Sequence, residues 1–350
     1  MFDYEKIKSA AYKYKYETAL ETQNVRISYK ELLNMIDAVY NSLCVMNVTG
    51  GAVAVLLRSG RDLACSSFAC DRAGFDCVTA DSRISVSRAA RLAEKYRPSV
   101  VIMPSCELER LAEIFLRCDC KTAVLTETSK QGDNSDVRQL FPAQFDFDSL
   151  LERNDYAYID KGGEKKNSRH VFFGVGDDSV QYADTLPGDA LSALSPRTPI
   201  YISLPFYEQA GALALTSLLY GGRRCFLADM PDKKLFKRRK VGAVLCDSVL
   251  TAAFAEYPCE ILTVETDPAR PFLYAGGGLL NLQEINAELI KISGMKSFCE
   301  FDGCRLRIVF ETDAVPDMQS EYVNQLALDC RRLLSAYDVP KSFVFRKKTV

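Results

Sequence analysis

The sequence predicts an α/β protein made of two α/β units and a small α+β domain at the C-terminal end. Over the first 125 residues, short apolar runs alternate with segments of helical spacing, a pattern typical of a mostly parallel sheet wrapped by helices. Between residues 128 and 169 the chain becomes polar and glycine-rich, and the alternation then resumes to about residue 265. Beyond "TDPARP" the order changes to helix, two strands, helix and strand. We therefore expect domains at 1–169, 170–266 and 267–350.

The first unit contains an amphipathic helix in "SYKELLNMIDAVYNSLCVM", where Ser28 and Glu31 match a capping box. The segments that follow are predicted as alternating strands and helices, in the order GAVAVLLR, DLACSSFACDRAG, FDCVTAD, SVSRAARLAEKYRP, SVVIMP, CELERLAEIFLRC and KTAVLTE. Gly74 and Pro98 lie where the second and third helices should end, because neither residue favours continuation of a helix.

The second unit is predicted from six segments, which are HVFFGVGDD (strand and turn), TPIYISLPF (strand), AGALALTSLLYGG (helix), RRCFLAD (strand), DKKLFKRRKV (helix) and GAVLCD (strand). The C-terminal domain begins with a helix, LLNLQEINAELIKIS. Two strands then surround a turn at Asp302 and Gly303, and the helix SEYVNQLALDCRRLLSAY and the strand SFVFR follow.

Composition excludes several classes of function. The formal net charge of −2 gives no general attraction to nucleic acid. No run of eighteen apolar residues is present and the first twenty residues lack an apolar signal segment, so we expect a cytoplasmic protein that does not enter a membrane. The 13 cysteines lack paired C-x-x-C spacing and His170 is the single histidine, so no metal site is expected.

Four stretches, in order along the chain, resemble the adenylate-forming superfamily of acyl-CoA synthetases, AMP-dependent ligases and adenylation domains. They are "ISYKELLNMIDAVYNSL" with the strands and helix after it, "ISLPFYEQAGALALTSLLYGGRRCFLAD", "AGGGLLNLQEINAELIKISGMKSF" and "AYDVPKSFVF". The resemblance implies a truncated adenylate-forming core, followed by that superfamily's small C-terminal domain. It also implies a reaction in which a carboxylate attacks the α-phosphate of ATP, and a thiol then captures the acyl-adenylate.

That chemistry needs a phosphate loop, acidic groups for ribose and magnesium, and a lysine for the transition-state charge. The matching phosphate loop is "FFGVGDDSVQYAD", in which Gly174, Gly176 and Ser179 are present but lysine is absent. Asp177 and Asp178 stand there instead. A carboxylate about 4 Å from a phosphate charge costs on the order of 1 kcal/mol in water and about 4 kcal/mol at a partly buried site. The loop is therefore predicted to repel ATP unless a metal intervenes, and an ordinary tight turn is its alternative role.

The resemblance assigns Tyr207, Glu208 and Gly211, in "LPFYEQAG", to the lining of an acyl pocket. Glu208 stands where the superfamily has histidine or an aromatic residue. A strand end packed on the following helix is the alternative interpretation of these residues.

The later motifs of the superfamily are altered or missing. Only about ten residues, 257–266, stand in place of the segment that carries the adenine loop and the ribose-binding aspartate. The hinge acids are replaced by Arg270 and Pro271. The chain ends at "RKKTV", so Lys347 and Lys348 are the only candidates for the terminal catalytic lysine.

Three hypotheses remain open. The first is a degenerate relative without ATP-dependent ligase activity or confident cofactor, which acts as a binding or partner protein for an acyl ligand, a carrier protein or an active ligase. A protein partner or self-association is expected in that case. The second is a divergent carboxylate–CoA or carboxylate–carrier-protein ligase that uses ATP and magnesium. The third is an unrelated α/β protein with chemistry at His170 or at Asp177 and Asp178.

Overall fold

The computed structural model describes residues 1–22, 25–46, 51–58, 60–128, 138–152, 168–173, 194–195, 197–227, 233–264, 272–275, 278–301, 306–313, 321–334 and 343–347. The elements as far as residue 172 are, in order, α1 (Tyr4–Lys13), β1 (Thr18–Glu21), β2 (Arg26–Ser28), α2 (Tyr29–Val45), β3 (Ala52–Leu56), α3 (Gly60–Ala73), β4 (Asp76–Ala80), α4 (Val86–Tyr96), β5 (Val100–Pro104), α5 (Leu108–Arg117), β6 (Thr122–Thr126), β7 (Ala143–Asp146), α6 (Phe147–Glu152) and β8 (His170–Phe172).

The later elements are β9 (Ile200–Ile202), α7 (Gln209–Tyr220), β10 (Cys225–Phe226), α8 (Lys233–Arg239), β11 (Ala243–Asp247), α9 (Thr251–Phe254), β12 (Glu260–Val264), β13 (Phe272–Ala275), β14 (Gly278–Asn281), α10 (Leu282–Ser293), β15 (Lys296–Phe301), β16 (Leu306–Thr312), α11 (Glu321–Leu333) and β17 (Phe343–Lys347). Within the part of the chain that the structure describes, no helix has both the length and the apolar character needed to cross a membrane.

The first sheet has six parallel strands in the order β7-β6-β5-β3-β4-β8. Its central strands are apolar at every position and wholly buried, as in β3 and β5, because helices cover both faces of such a sheet. The predicted α/β class is confirmed, and each strand predicted from residue 51 to residue 127 is present.

The second sheet has the order β12-β11-β9-β10-β1-β2, parallel except for the antiparallel pair β1–β2. One apolar cluster joins the two sheets through the helices between them, with Leu32 of α2, Phe68 of α3 and Leu215 of α7 among its buried members. The carboxyl ends of the parallel strands are therefore the natural place to look for a ligand site.

The division between the two sheets does not follow the order of the sequence. β1 and β2, near the N-terminus, pair into the second sheet, whereas β8 at residues 170–172 pairs with β4 of the first. The boundary expected at residue 170 therefore does not separate the sheets. Strand pairing is non-local, and an apolar run carries no information about its partner. β12 was also not predicted, and it lengthens the second sheet by one strand.

The C-terminal region forms a separate small sheet with two helices. β15 and β16 are antiparallel and β17 lies parallel to β16. Ile285 and Leu289 of α10 share a buried cluster with Leu326 and Cys330 of α11. The expected order of elements is present, with one correction. The predicted helix "LLNLQEINAELIKIS" begins at Leu282, because 279–281 belong to β14, which pairs with β13.

Candidate functional site

Charged side chains gather where strands of the two sheets end. Arg58 follows β3 by two residues, Asp81 follows β4 directly, and Asp247 is the last residue of β11. Glu208 lies at the end of the loop after β9 and is the N-cap residue of α7. Ligands of open parallel sheets bind in the crevice outside the carboxyl ends of the strands. These residues mark that crevice, which we take as the candidate site.

The loop that carries Glu208 is held by a close backbone approach. A Cβ atom added to Gly211 would lie 2.0 Å from the carbonyl oxygen of Pro205 and 2.5 Å from its carbonyl carbon. Only glycine leaves room for the Pro205 peptide against the first turn of α7. The spacing from Pro205 to Gly211 is thus a packing requirement that fixes where Tyr207 and Glu208 lie. Gly211 therefore positions the site.

Glu208 is a buried carboxyl group, only 5% exposed. Burial, followed by the negative charges of Asp81 and Asp247, raises the pKa of Glu208 to about 8 against the opposing charge of Arg88. Asp81 follows a strand of the first sheet and Asp247 ends a strand of the second, so Glu208 feels a carboxylate from each sheet. At neutral pH Glu208 is therefore mostly protonated and can donate a hydrogen bond.

Tyr207 occupies the same crevice. Its backbone carbonyl accepts a hydrogen bond from Thr79 Oγ1 of β4 at 3.4 Å, which ties the β9–α7 loop to the first sheet. Burial raises the pKa of the Tyr207 phenol, and the charge of Asp81 adds to that effect. The phenol therefore stays protonated and can act as a neutral hydrogen-bond donor or acceptor.

The arginines of the crevice are engaged by protein groups. Arg83 donates to both carboxylate oxygens of Asp81, with Nη2 2.7 Å from Oδ2 and Nε 3.2 Å from Oδ1. Burial raises the pKa of Asp81, but the charges of Arg83 and Arg58 outweigh it and lower that pKa overall. Arg88 Nη2 donates to the carbonyl oxygen of Phe173 at 3.3 Å, at the end of β8. Arg83 therefore neutralises a carboxylate of this chain, and Arg88 binds one of its carbonyl groups.

The structure brings together only some of the residues that the sequence singled out. Tyr207 and Glu208 lie in the crevice. Lys347 ends β17 with an exposed side chain, opposite Thr312 in the C-terminal sheet. The remaining candidates lie outside the described residues, and these are Gly174, Gly176, Asp177, Asp178 and Ser179 of the phosphate loop, Arg270 and Pro271 of the hinge, and Lys348.

Several crevice residues were missed in the sequence. Asp81, Arg88 and Asp247 complete the electrostatic surroundings of Glu208, and Arg58 and Arg83 act on Asp81. A signal for two of them was present, since Asp81 and Asp247 each come at the end of a short apolar run, in "CVTAD" and "AVLCD". A charged residue at the carboxyl end of a parallel strand is a candidate site residue by position alone. Among the described residues, no group of three or more His, Cys, Asp or Glu side chains is arranged to hold a metal ion.

Comparison with known proteins identifies one family model and many similar folds. Residues 7–160 match the model described as AMP-binding enzyme. No curated protein sequence matches the chain. The fold is similar to a double mutant of o-succinylbenzoate CoA synthetase from Bacillus subtilis, solved with a product analogue, with a TM-score of 0.59 and 11% identity over 99% of this chain and 95% of that one.

Two further structures resemble the chain over its whole length. The amide bond synthetase McbA from Marinactinospora thermotolerans has a TM-score of 0.58 at 11% identity, covering 100% of this chain and 96% of that one. Coronafacic acid ligase from Pectobacterium brasiliense has a TM-score of 0.55 at 13% identity, covering 100% and 95%. At such identities the likeness concerns the fold.

Proposed function

We propose that this chain, which has the fold of the adenylate-forming ligases on only 350 residues, acts as a binding or partner protein without ATP-dependent ligase activity. Its partner would be an acyl ligand, a carrier protein or an active ligase. The observation that carries the proposal is Glu208, a buried carboxyl group with its pKa raised to about 8 in the crevice between the sheets.

A raised carboxyl pKa reports an environment that disfavours negative charge. Burial is the first cause of the raised pKa of Glu208, and the charges of Asp81 and Asp247 add to it, so the place that Glu208 occupies penalises an added negative charge. The triphosphate of ATP brings several such charges. The surroundings of Glu208 therefore do not fit the phosphates of a nucleotide, and we derive no step through ATP or magnesium.

The sequence supports the same proposal at separate positions. The phosphate-loop segment carries Asp177 and Asp178 and no lysine, and the segment that would hold the adenine loop is about ten residues long. The hinge positions carry Arg270 and Pro271 in place of acids. Each change alone would weaken one contact, whereas together they affect every part of the superfamily that acts on ATP.

The proposal is tested by magnesium-dependent exchange of pyrophosphate into ATP, with a panel of aliphatic and aromatic carboxylic acids. We expect no exchange above the rate without protein. An active adenylate-forming ligase, assayed in parallel, shows that the panel and conditions support exchange. Exchange by this chain with any carboxylate would overturn the proposal.

For the acyl ligand, the crevice favours a neutral carbonyl group. Protonated Glu208 can donate a hydrogen bond to the carbonyl oxygen of a thioester, whereas a free carboxylate brings the negative charge that the crevice disfavours. We therefore expect an acyl-pantetheine thioester to bind more tightly than the corresponding free acid. Isothermal titration with the two compounds measures the difference, and tighter binding of the acid would contradict this expectation.

A protein partner is favoured by the edge of the second sheet. β12 is its terminal strand, paired only with β11 among the described residues, and an open strand edge is a template for further pairing. We expect self-association or a bound protein at this edge. Light scattering of the purified chain tests self-association, and a pull-down with the chain as bait tests binding of another protein. A monodisperse monomer that captures nothing would contradict both expectations.

The alternative function is a divergent carboxylate ligase, working alone or completed by another chain. It is favoured by the C-terminal module, in which α10, α11 and the strands β15 to β17 are all retained. A thermal shift with ATP and magnesium, or with a non-hydrolysable acyl-adenylate analogue, would support this alternative. Absence of both shifts counts against a ligase that works alone.

A further inference from the structure

A second site lies beside β4 and β8, and it shares no charged residue with the crevice. A cavity of about 590 Å³ is lined by residues that include Phe2, Asp71, Cys77, Arg169 and His170. The Arg169 side chain at this cavity is 78% exposed, so the cavity reaches solvent. A thiol and an imidazole thus share a space large enough to admit a small molecule.

The sheet register places Cys77 beside the only histidine of the sequence. β4 and β8 are parallel, and Cys77 pairs directly with His170. The imidazole lies between two phenyl rings, with centroid distances of 4.8 Å to Phe2 and 4.7 Å to Phe172. Its Nε2 is 3.5 Å from Thr79 Oγ1. The ring is therefore held in place next to the thiol by contacts on several sides.

Cys77 has two further polar neighbours on α3. Ser67 Oγ lies 3.8 Å from Cys77 Sγ, and Cys70 belongs to the same buried cluster as Cys77, where each thiol shifts the pKa of the other. A chain reversal brings them together, since Phe75 N donates to Cys70 O at 3.0 Å. Two thiols and one imidazole therefore form a single contiguous group, with Cys77 on the cavity wall and Cys70 buried behind it.

The two thiols have opposite electrostatic surroundings. Burial raises the pKa of Cys77, but the hydrogen bond from Cys70 and the charge and hydrogen bond of His170 outweigh it and hold that pKa well below its usual range. The hydrogen bond to Cys77 and burial raise the pKa of Cys70. A thiolate with a neighbouring protonated thiol is the arrangement found in redox-reactive cysteine pairs.

We propose that Cys77 is a peroxide-reactive thiol and Cys70 its resolving thiol, forming a dithiol site that opens into this cavity. The substrate class is a small hydroperoxide, because Cys77 is only 2% exposed and a bulky oxidant would not reach its sulfur. The site lies outside the crevice, so this proposal is independent of the proposed function.

The reaction has two balanced steps. The Cys77 thiolate attacks one peroxide oxygen, so that an S–O bond forms and the O–O bond breaks. The leaving alkoxide or hydroxide takes a proton from the His170 imidazolium. The sulfur of Cys70 then attacks the sulfenic acid of Cys77, an S–S bond forms, and water leaves with the Cys70 proton. Two electrons pass from the sulfurs to the peroxide, and a dithiol reductant restores the thiols.

The first test uses the unmodified chain and hydrogen peroxide. After timed exposure and alkylation of the remaining thiols, peptide mass spectrometry follows each cysteine separately. Cys65 and Cys225 are internal controls, because both are fully buried with raised pKa values and no histidine beside them. We expect Cys77 to be oxidised at least about tenfold faster than either control, with a Cys70–Cys77 disulfide as the product. Equal rates, or oxidation of Cys77 without that disulfide, would overturn the proposal.

Variants separate the roles of the three residues. In Cys70→Ser the sulfenic acid of Cys77 should persist and be trapped by dimedone, whereas Cys65→Ser should leave the reaction unchanged. In His170→Gln the oxidation of Cys77 should slow by about tenfold, since less of the thiol is ionised. An unchanged rate in His170→Gln would show that the imidazole does not activate Cys77, and this would contradict the proposed reaction. Circular dichroism confirms folding, and if a variant does not fold, the rates within the unmodified chain decide the outcome.

Discussion

Glu208 illustrates how a residue's surroundings set its chemistry. The same glutamate on an exposed helix would be ionised at neutral pH, but here burial, Asp81 and Asp247 favour its protonated form. Its position follows from the contact between Gly211 and Pro205, and its charge state from residues on two other strands. The resemblance predicted Glu208 as a pocket residue, and only the surrounding carboxylates explain what it can bind.

The substitution Glu208→Gln tests this charge state through the pH dependence of stability. The folded protein binds the proton of Glu208 more tightly than the unfolded chain, so wild-type stability falls as pH rises from the ordinary value of 4.5 to about 8. Glutamine has no such proton. The free energy of unfolding of the variant should therefore rise relative to that of the wild type over that window, by up to about 1.4 kcal/mol per pH unit. Urea unfolding at a series of pH values measures the difference.

Glu260→Gln, at an exposed glutamate of β12, is the matched control and should leave the pH profile unchanged. The difference in unfolding free energy between Glu208→Gln and wild type should be constant below about pH 4.5 and constant again above about pH 8. Parallel curves across the whole range would show that Glu208 is ionised in the folded protein.

Gly211→Ala tests the backbone approach that positions the site. The added Cβ would lie 2.0 Å from Pro205 O, and a backbone atom cannot move aside as a flexible side chain can, so we expect a loss of about 3 kcal/mol in unfolding free energy. Gly221→Ala is the matched control at the other end of α7, where a Cβ would meet Ser217 O at 3.4 Å. That change should stay within about 1 kcal/mol. Similar losses in both variants would contradict the proposed packing.

At the scale of elements, local signals were reliable for helices and for buried strands. The capping box predicted at Ser28 and Glu31 begins α2, with Ser28 Oγ accepting from Glu31 N at 3.2 Å and Glu31 Oε2 accepting from Ser28 N at 2.7 Å. α4 ends one residue earlier than the Pro98 signal suggests, because Arg97 adopts a left-handed conformation with φ of 42°. Such features depend on a few neighbouring residues, so the sequence shows them directly.

Ser28→Ala tests the contribution of the cap. Removing the hydroxyl leaves the backbone N–H of Glu31 without its side-chain acceptor, and a loss of about 1 kcal/mol is expected. The hydrogen bonds from Ser28 lower the pKa of Glu31, so this stabilisation is present above the ordinary pKa and is lost as pH falls through the lowered value. Chemical denaturation at pH 7 and at pH 3 measures both effects.

Ser9→Ala is the control, since the Ser9 hydroxyl is exposed and only donates to Glu5 O within α1. It should change stability by no more than about 0.5 kcal/mol. If Ser28→Ala were equally neutral at pH 7, the cap would not contribute to the stability of α2.

At the scale of the whole molecule, a hydrogen bond links the N-terminal unit to the C-terminal module. Ser87 Oγ of α4 donates to Glu288 Oε1 of α10 at 3.0 Å, and Lys291 Nζ donates to the same oxygen at 2.9 Å. Glu288 is 6% exposed, so its carboxylate depends on these donors. This contact ties α10 to the first unit.

Glu288→Ala tests this link by amide hydrogen exchange. Loss of the carboxylate should speed exchange in α10, because a hydrogen bond to a charged acceptor contributes about 1.5–3 kcal/mol. Ser87→Ala should reproduce part of the effect. Lys291→Ala should have a smaller effect than Glu288→Ala, since that lysine is 59% exposed and an exposed ion pair adds little. If amides of α10 exchanged at the wild-type rate in Glu288→Ala, the contact would not hold the module to the first unit.

The sequence by itself determined the α/β class, the helix caps, the buried strands and the order of the C-terminal module, since each of these depends on residues close together in the chain. Only the tertiary structure decided that β8 joins the first sheet, that β1 and β2 join the second, and that Asp81 and Asp247 surround Glu208. The same holds for Cys77 and His170, separated by 93 residues and adjacent across two strands. Strand partners and charge environments are set by contacts between distant segments, and apolar runs of similar composition do not specify which of them will meet.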